Sequence, residues 1–274
     1  MILIVASKKD AASLNIRKQI LDNYNRRETN ESFQENPVYT FKINQKDVRL
    51  VTLNDESIYA QNLADSFNNL ELVVFISRHS SLSGTPTLSV HTPGNLGNAE
   101  LGGISRKVSI SPANTMRDTL KAMAKFKQAA HIEYQVSYEC THHGPSLNVP
   151  AMFAELGSSP AQWSDSNAAE VVARAVVEGL ATFKLSNAKP VLGIGGPHYN
   201  GKFTKMALEI EVAFGHMIPK YAVADADLAM LKHCVEQTME KVEAVILDWK
   251  GIRGENKAPL VQMLREMDVG FEKV

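Results

Sequence analysis

Two hydrophobic periods share this chain. Short continuous apolar runs, bounded by Gly, Pro, Asn or Ser, predict buried strands at 2–7, 71–77, 151–156, 190–194 and 242–247. β-Branched and aromatic runs predict further strands at 38–43, 48–53, 87–91 and 134–138, the last as the central strand. Between them apolar positions recur at three- and four-residue spacing. Ala12, Ile16, Ile20 and Leu21 predict a helix after Asp10, and Met116, Leu120 and Met123 predict one from 115 to about 130 with Thr115 as its N-cap. Ala168, Val171, Val172, Ala175, Val176 and Leu180 predict a third helix, capped by Asn167 with Glu170 three residues on. Further helices are expected at 203–211, 227–241 and 259–267, and the polar run 25–32 is expected as a surface loop. Strands alternating with helices predict an α/β fold with a mixed, largely parallel central sheet flanked by helices. The expected organisation is a single domain over 1–274, with room for a small lobe around 25–60.

Composition mainly excludes. With 274 residues, 44% hydrophobic and 22% charged, the chain is neither disordered nor membrane-embedded. No stretch approaches the roughly 18 apolar residues that a membrane-crossing helix needs, so no membrane partner is expected. The opening run reads as a strand and lacks a basic leader, which predicts a cytoplasmic protein. Cys140 and Cys234 have no metal-type spacing and are expected as free thiols, Cys140 as a small core residue more than a nucleophile. A net charge of −1 argues against a wholly basic nucleic-acid wrapper but leaves room for a local basic patch.

The chemistry concentrates on histidine. Four expected strand ends finish on one: His79, His91, the pair His142-His143, and His198. In open α/β sheets ligands bind beyond the carboxyl ends of the strands, so these imidazoles are expected to converge there. Neutral imidazole is a good zinc ligand and titrates near neutrality, and a catalytic zinc leaves one position for a water whose pKa falls to about 7. His142, His143 and His198 are the candidate ligands, with Glu139 or Glu155 as carboxylate ligand or general base, and His79 or Glu139 to manage protons. Adjacent histidines on an extended chain point to opposite faces, so His142 and His143 share a metal only if the loop bends at Gly144. The unpatterned stretch 93–106 contains Gly94, Gly97, Gly102 and Gly103 beside Asn95, and so long a loop is usually functional. Gly94, Asn95, Gly102 and Gly103, together with Arg78 and His91, are therefore candidate substrate contacts. The run Gly193-Ile194-Gly195-Gly196 lacks the third glycine of a dinucleotide fingerprint. The N–H groups of Gly195 and Gly196 are instead expected to face a developing oxyanion.

Four segments carry a resemblance: Ser77-Arg78-His79-Ser80-Ser81, His91-Thr92-Pro93-Gly94-Asn95, Thr141-His142-His143-Gly144-Pro145 and Gly193-Ile194-Gly195-Gly196-Pro197-His198-Tyr199. In this order, and along nearly the whole chain, they resemble the archaeal and plant type of D-aminoacyl-tRNA deacylase. The resemblance implies hydrolysis of the ester between a D-amino acid and tRNA, a zinc cofactor, and a fold similar to peptidyl-tRNA hydrolases and nucleoside phosphorylases. A tRNA partner needs phosphate contacts, and Arg117, Lys121 and Lys125 recur every four residues on one helix as the expected stripe. The protein would act as a monomer or small homo-oligomer. Two alternatives stay open: a nucleoside phosphorylase-like transferase holding phosphate with its glycines and Arg78, and a non-catalytic RNA-binding module.

Overall fold

The computed structural model describes residues 1–274. In chain order its elements are β1 (Ile2–Ser7), α1 (Ala11–Asn23), β2 (Arg27–Phe33), β3 (Asn36–Ile43), β4 (Lys46–Leu53), β5 (Leu72–Ser80), β6 (Thr87–His91), α2 (Ala113–Ala129) and β7 (Gln135–Tyr138). There follow β8 (Ala151–Ser158), one helical turn α3 (Pro160–Trp163), α4 (Ser166–Ala181), β9 (Lys189–Ile194), α5 (Gly201–Glu209), β10 (Val212–Ile218), α6 (Leu228–Glu236), β11 (Ala244–Leu247), α7 (Gly254–Glu266) and β12 (Phe271–Lys273). Eight strands form one sheet in the order β2-β3-β4-β1-β5-β8-β6-β7, and four form a second in the order β10-β9-β11-β12. Pairing is antiparallel only at β2/β3, β3/β4 and β6/β8. The mixed, largely parallel sheet with flanking helices matches the expectation.

β1, β5 and β8 open with apolar runs, unbroken to Ala6, Ile76 and Ala154, because both of their faces are covered there. Ile4, Val74, Ile76, Met152 and Ala154 point into the main core with α1, α2 and α4, whereas Leu3, Val5, Val73, Phe75 and Phe153 build a smaller core on the other face. This period of two has a chemical consequence. Ser77 and His79 continue the face of Phe75, and Glu155 continues that of Phe153, so polar groups cap the smaller core at the carboxyl end of β5. The register sets Ser77 and Ser89 opposite Glu155 from its two neighbouring strands.

Several expectations need correction. Residues 25–32 are not a loop: most of them form β2, an exposed edge strand with no buried face and hence no alternation to read. The hairpin of β3 and β4 extends the large sheet beside β1. Thr115 lies inside α2 rather than at its N-cap, because the Glu240 carboxylate accepts the first N–H groups, those of Ala113 and Asn114, from far along the chain. α4 begins at Ser166 with Asp165 as its N-cap, accepting from the N–H groups of Asn167 and Ala168. β7 is the last strand of the large sheet, not a central one. Its continuation nevertheless joins the two sheets: Cys140 N–H donates to His198 O at 2.9 Å and Thr141 N–H to Met217 O at 2.9 Å.

Candidate active site

The five imidazoles converge where β5, β6, β7 and β9 end. Ring centroids of His91 and His142 lie 4.3 Å apart, His142 and His143 3.9 Å, His142 and His198 4.3 Å. The chain bends at His143 and Gly144, with φ of 25° and 82°, which turns both neighbouring histidines to one side. His91 is fixed from below by stacking on Phe153, at 4.9 Å between centroids and 3° between planes.

Glu139 is the hub. Its Oε1 lies 3.1 Å from His79 Nδ1, and its Oε2 lies 3.1 Å from His198 Nε2 and 3.6 Å from His142 Nε2. Glu155 accepts from Ser77 Oγ at 2.7 Å and stands 3.7 Å from His79 Nδ1 and 3.6 Å from His91 Nε2. Both carboxylates are buried. Burial alone would raise their pKa values, but the hydrogen bond to His198 and the charge of His79 hold Glu139 well below the usual range, and His79 and His91 hold Glu155 down. Burial works against a charged His79, yet the two carboxylates outweigh it and lift its pKa to about 10. His79 is therefore an imidazolium clamped between two carboxylates. Burial, then the charge of His91, drives His142 well below its usual value and His143 to about 4, so both are neutral.

These groups fit a divalent metal ion. His142 Nδ1 lies 2.8 Å from Cys140 O, which assigns the ring proton to Nδ1 and leaves Nε2 as a bare lone pair facing the Glu139 carboxylate. Metal-binding histidines characteristically give their other N–H to such a carbonyl. His91 Nε2 and His143 Nδ1 are buried without a hydrogen-bond partner, and His91, whose charged form Glu155 favours despite that burial, would release its proton on taking the ion. Ligand atoms of His91, His142 and His143, and those of Glu139, His142 and His198, lie within 4.8 Å of one another. The expected set of His142, His143, His198 and Glu155 thus divides. His142 belongs to both groups, His91 replaces a substrate role with a place among the ligand candidates, and Glu155 sits deeper with His79 and Glu139.

Two cavities, of about 360 and 410 Å³, meet at this cluster, and Leu101, His142 and His143 line both. Gly94 and Asn95 line the first, and the loop is tied to the histidine turn by Gly94 N–H to His143 O at 2.7 Å and Gly144 N–H to Leu101 O at 2.9 Å. Asn95 braces that loop through Gly102 O. Gly102 and Gly103, both with positive φ, pack against Ile58 and Gly144. Arg78 lines the second cavity, but Glu56 takes its guanidinium at 2.9 and 3.0 Å, so it is no free phosphate cation.

Other expected residues lie elsewhere. Gly195 N–H donates to Ile218 O at 2.8 Å, and Gly195 and Gly196 pack against Asp248 and the loop around it; neither lines the cavities, which removes them from an oxyanion role. Arg117 is buried, donating to the carbonyls of Ala207 and Ile210, both at 3.0 Å. Glu211 and Glu178 engage Lys121 and Lys125, so the stripe is not a row of free cations. Cys140 is buried, and burial pushes its thiol pKa far above the usual range. His216 bonds Thr141 Oγ at 3.0 Å and Gln237 O at 3.0 Å beneath the site instead of joining it. Ser77, Tyr199 and Tyr221 were missed. Ser77 was legible as the same-face neighbour of His79 two residues back.

Comparison with known proteins follows this geometry. The D-aminoacyl-tRNA deacylase family profile matches residues 66–272. The chain is 36% identical to the D-aminoacyl-tRNA deacylase of Thermococcus onnurineus over 99% of each chain, and 38% identical to that of Pyrococcus abyssi over 100% of each. It is 34% identical to that of Methanococcus maripaludis over 99% of each. The crystal structure of a conserved protein of unknown function matches with a TM-score of 0.89 at 28% identity, over 100% of this chain and 95% of that one. Matching sequence and fold along the full chain, with the histidine segments at its centre, make this protein a member of the D-aminoacyl-tRNA deacylase family.

Proposed function

We propose that this protein hydrolyses the ester bond of D-aminoacyl-tRNA, releasing free D-amino acid and tRNA, in the cytoplasm and with a resident zinc ion. The observation that carries the metal is the unprotonated Nε2 of His142 facing Glu139, with the unpartnered nitrogens of His91 and His143 beside it. His142 would hold the ion with His91 and His143, with Glu139 and His198, or with members of both groups. Bound there, zinc would supply Lewis-acid polarisation of the ester carbonyl. Glu139, kept ionised by His79 and His198, accepts the proton of the attacking water and returns it to the departing ribose oxygen as the acyl C–O bond breaks. His79 holds Glu139 and Glu155 in place and keeps both anionic. The loop at 93–106 borders the reacting groups and lines one of the two cavities that meet there, where it would contact the aminoacylated 3′ end of the tRNA.

Purified protein should release D-amino acid from D-aminoacyl-tRNA, spare the matched L-aminoacyl-tRNA, carry bound zinc, and lose activity to a chelator. Equal hydrolysis of both enantiomers, or none of either, would overturn the reading of the substrate. Full activity in metal-depleted protein would overturn that of the cofactor.

A further inference from the structure

An ester joins two halves at one carbonyl, so a site that cleaves it must offer two spaces meeting at the reacting groups. The two cavities here share Leu101, His142 and His143. They differ in what surrounds them. Gly97, Asn98, Glu100, Tyr221 and Asp225 of the first are exposed, so it opens to solvent. The second also has an exposed mouth, at Ser80, Leu101 and Tyr199, but its floor is buried Ser57, Ser77, His79, Phe153 and Glu155.

We propose that the cavity beside Tyr221 receives the terminal nucleoside of the tRNA, its base stacked on that ring, and that the cavity floored by buried groups receives the amino acid. This rests on the function proposed above. An exposed ring and unpaired backbone donors suit a nucleoside at the end of a macromolecule, whereas a chamber floored by buried groups suits a single amino acid. The Tyr221 ring is 56% exposed, and its hydroxyl is tied to His198 Nδ1 at 3.0 Å. An exposed aromatic ring held in one orientation is a stacking platform, and unpaired RNA ends are recognised by such rings. No protein acceptor takes the N–H groups of Leu96, Gly97 and Asn98, which leaves three donors along the cavity wall for a base edge or ribose hydroxyls. The carboxylates of Glu100 and Asp225 suit amino and hydroxyl donors and repel phosphate, so the nucleic-acid backbone leaves past Lys220, exposed beside Tyr221.

The test is equilibrium binding of uncharged tRNA, and of the same tRNA lacking its 3′-terminal nucleotide, to the parent, Tyr221→Phe, Tyr221→Trp and Tyr221→Leu. Stacking on one aromatic ring is worth at least about fivefold in affinity. The parent, Phe and Trp proteins should prefer the intact tRNA by that factor or more, and the Leu protein should not. Preservation of the preference by Phe and Trp would separate ring stacking from the hydroxyl's hold on His198. A parent blind to the terminal nucleotide would overturn the proposal, as would Phe losing the preference as fully as Leu. A Leu variant whose ranking of D-alanyl- against D-tyrosyl-tRNA changes would also overturn it, by placing the side chain in the cavity beside Tyr221. Because the binding arm needs no turnover, a parent that distinguishes the two tRNAs but deacylates neither enantiomer would sink the proposed reaction while leaving this subsite standing.

Discussion

Ser77 Oγ donates to Glu155 Oε1 across 2.7 Å from the directly opposite position on the neighbouring strand. That bond fixes a carboxylate which in turn faces His79 and His91. Ser77→Ala should therefore lower deacylation or zinc affinity about tenfold or more, as loss of a supporting partner around a metal site does. Parallel kinetics and metal analysis check it, and unchanged values for both would show that Glu155 is held by the histidines alone.

His142→Ala should reduce deacylation by at least about a hundredfold, since this ring belongs to both candidate ligand groups. His143→Ala should follow, with more of the loss in bound metal. Thermal unfolding measured alongside separates chemistry from folding: a variant that unfolds early but retains parental activity per folded molecule would assign the pair a structural role.

Gly103→Ala would place a methyl group against Gly144 O and the Asn95 amide, at a φ of 78° that L-residues rarely adopt. The turn carrying His143 must then shift, so activity should fall more than about tenfold while stability drops by about 1–3 kcal/mol. Gly254→Ala, whose added methyl meets nothing and lies away from both cavities, should stay near the parent in both.

Exchanging Arg117, Lys121 and Lys125 together for glutamine should leave tRNA affinity and its salt slope unchanged, because the stripe is engaged within the protein. The variant should instead lose stability, by about 2 kcal/mol or more, through the carbonyls of Ala207 and Ile210 that Arg117 satisfies. A flattened salt slope would restore the stripe to tRNA binding.

Burial lowers the His216 pKa from 6.5 to about 4. The folded state thus refuses a proton that the unfolded chain accepts, and the stability this group allows is complete above pH 6.5 and lost as pH falls toward 4. Urea midpoints of parent and His216→Asn at pH 7.5 and 5 should show the parent losing more stability on acidification. An identical pH dependence would remove His216 as the source.

The strand runs at 2–7, 71–77 and 151–156 were legible because coverage on both faces demands a mostly apolar sequence. The histidine convergence was legible but its cause was not: β6 and β7 run antiparallel to β5 and β8, so His91 and the segment after β7 reach His79 and Glu155 from the opposite direction. Legibility failed where a residue answers to a partner remote in sequence. Arg117 reads as a solvent stripe until α5 supplies two carbonyls to it, and Gly195 reads as an oxyanion donor until β10 takes its N–H. β2 failed for want of any buried face.

The stitching of residues 139–141 to both sheets has a consequence for biosynthesis. Glu139 meets His79 from upstream and His198 from downstream, while Thr141 is tied to Met217. By the time β8 has left the ribosome the residues that place Glu139 and Glu155 beside His79 have all been synthesised, but the segment that supplies His198 has not. The centre is completed only once β9 and β10 have left the ribosome, so the capacity to bind both ligand groups would mark a late step of folding, and a chelator present during synthesis would spare the first sheet while withholding the last clasp.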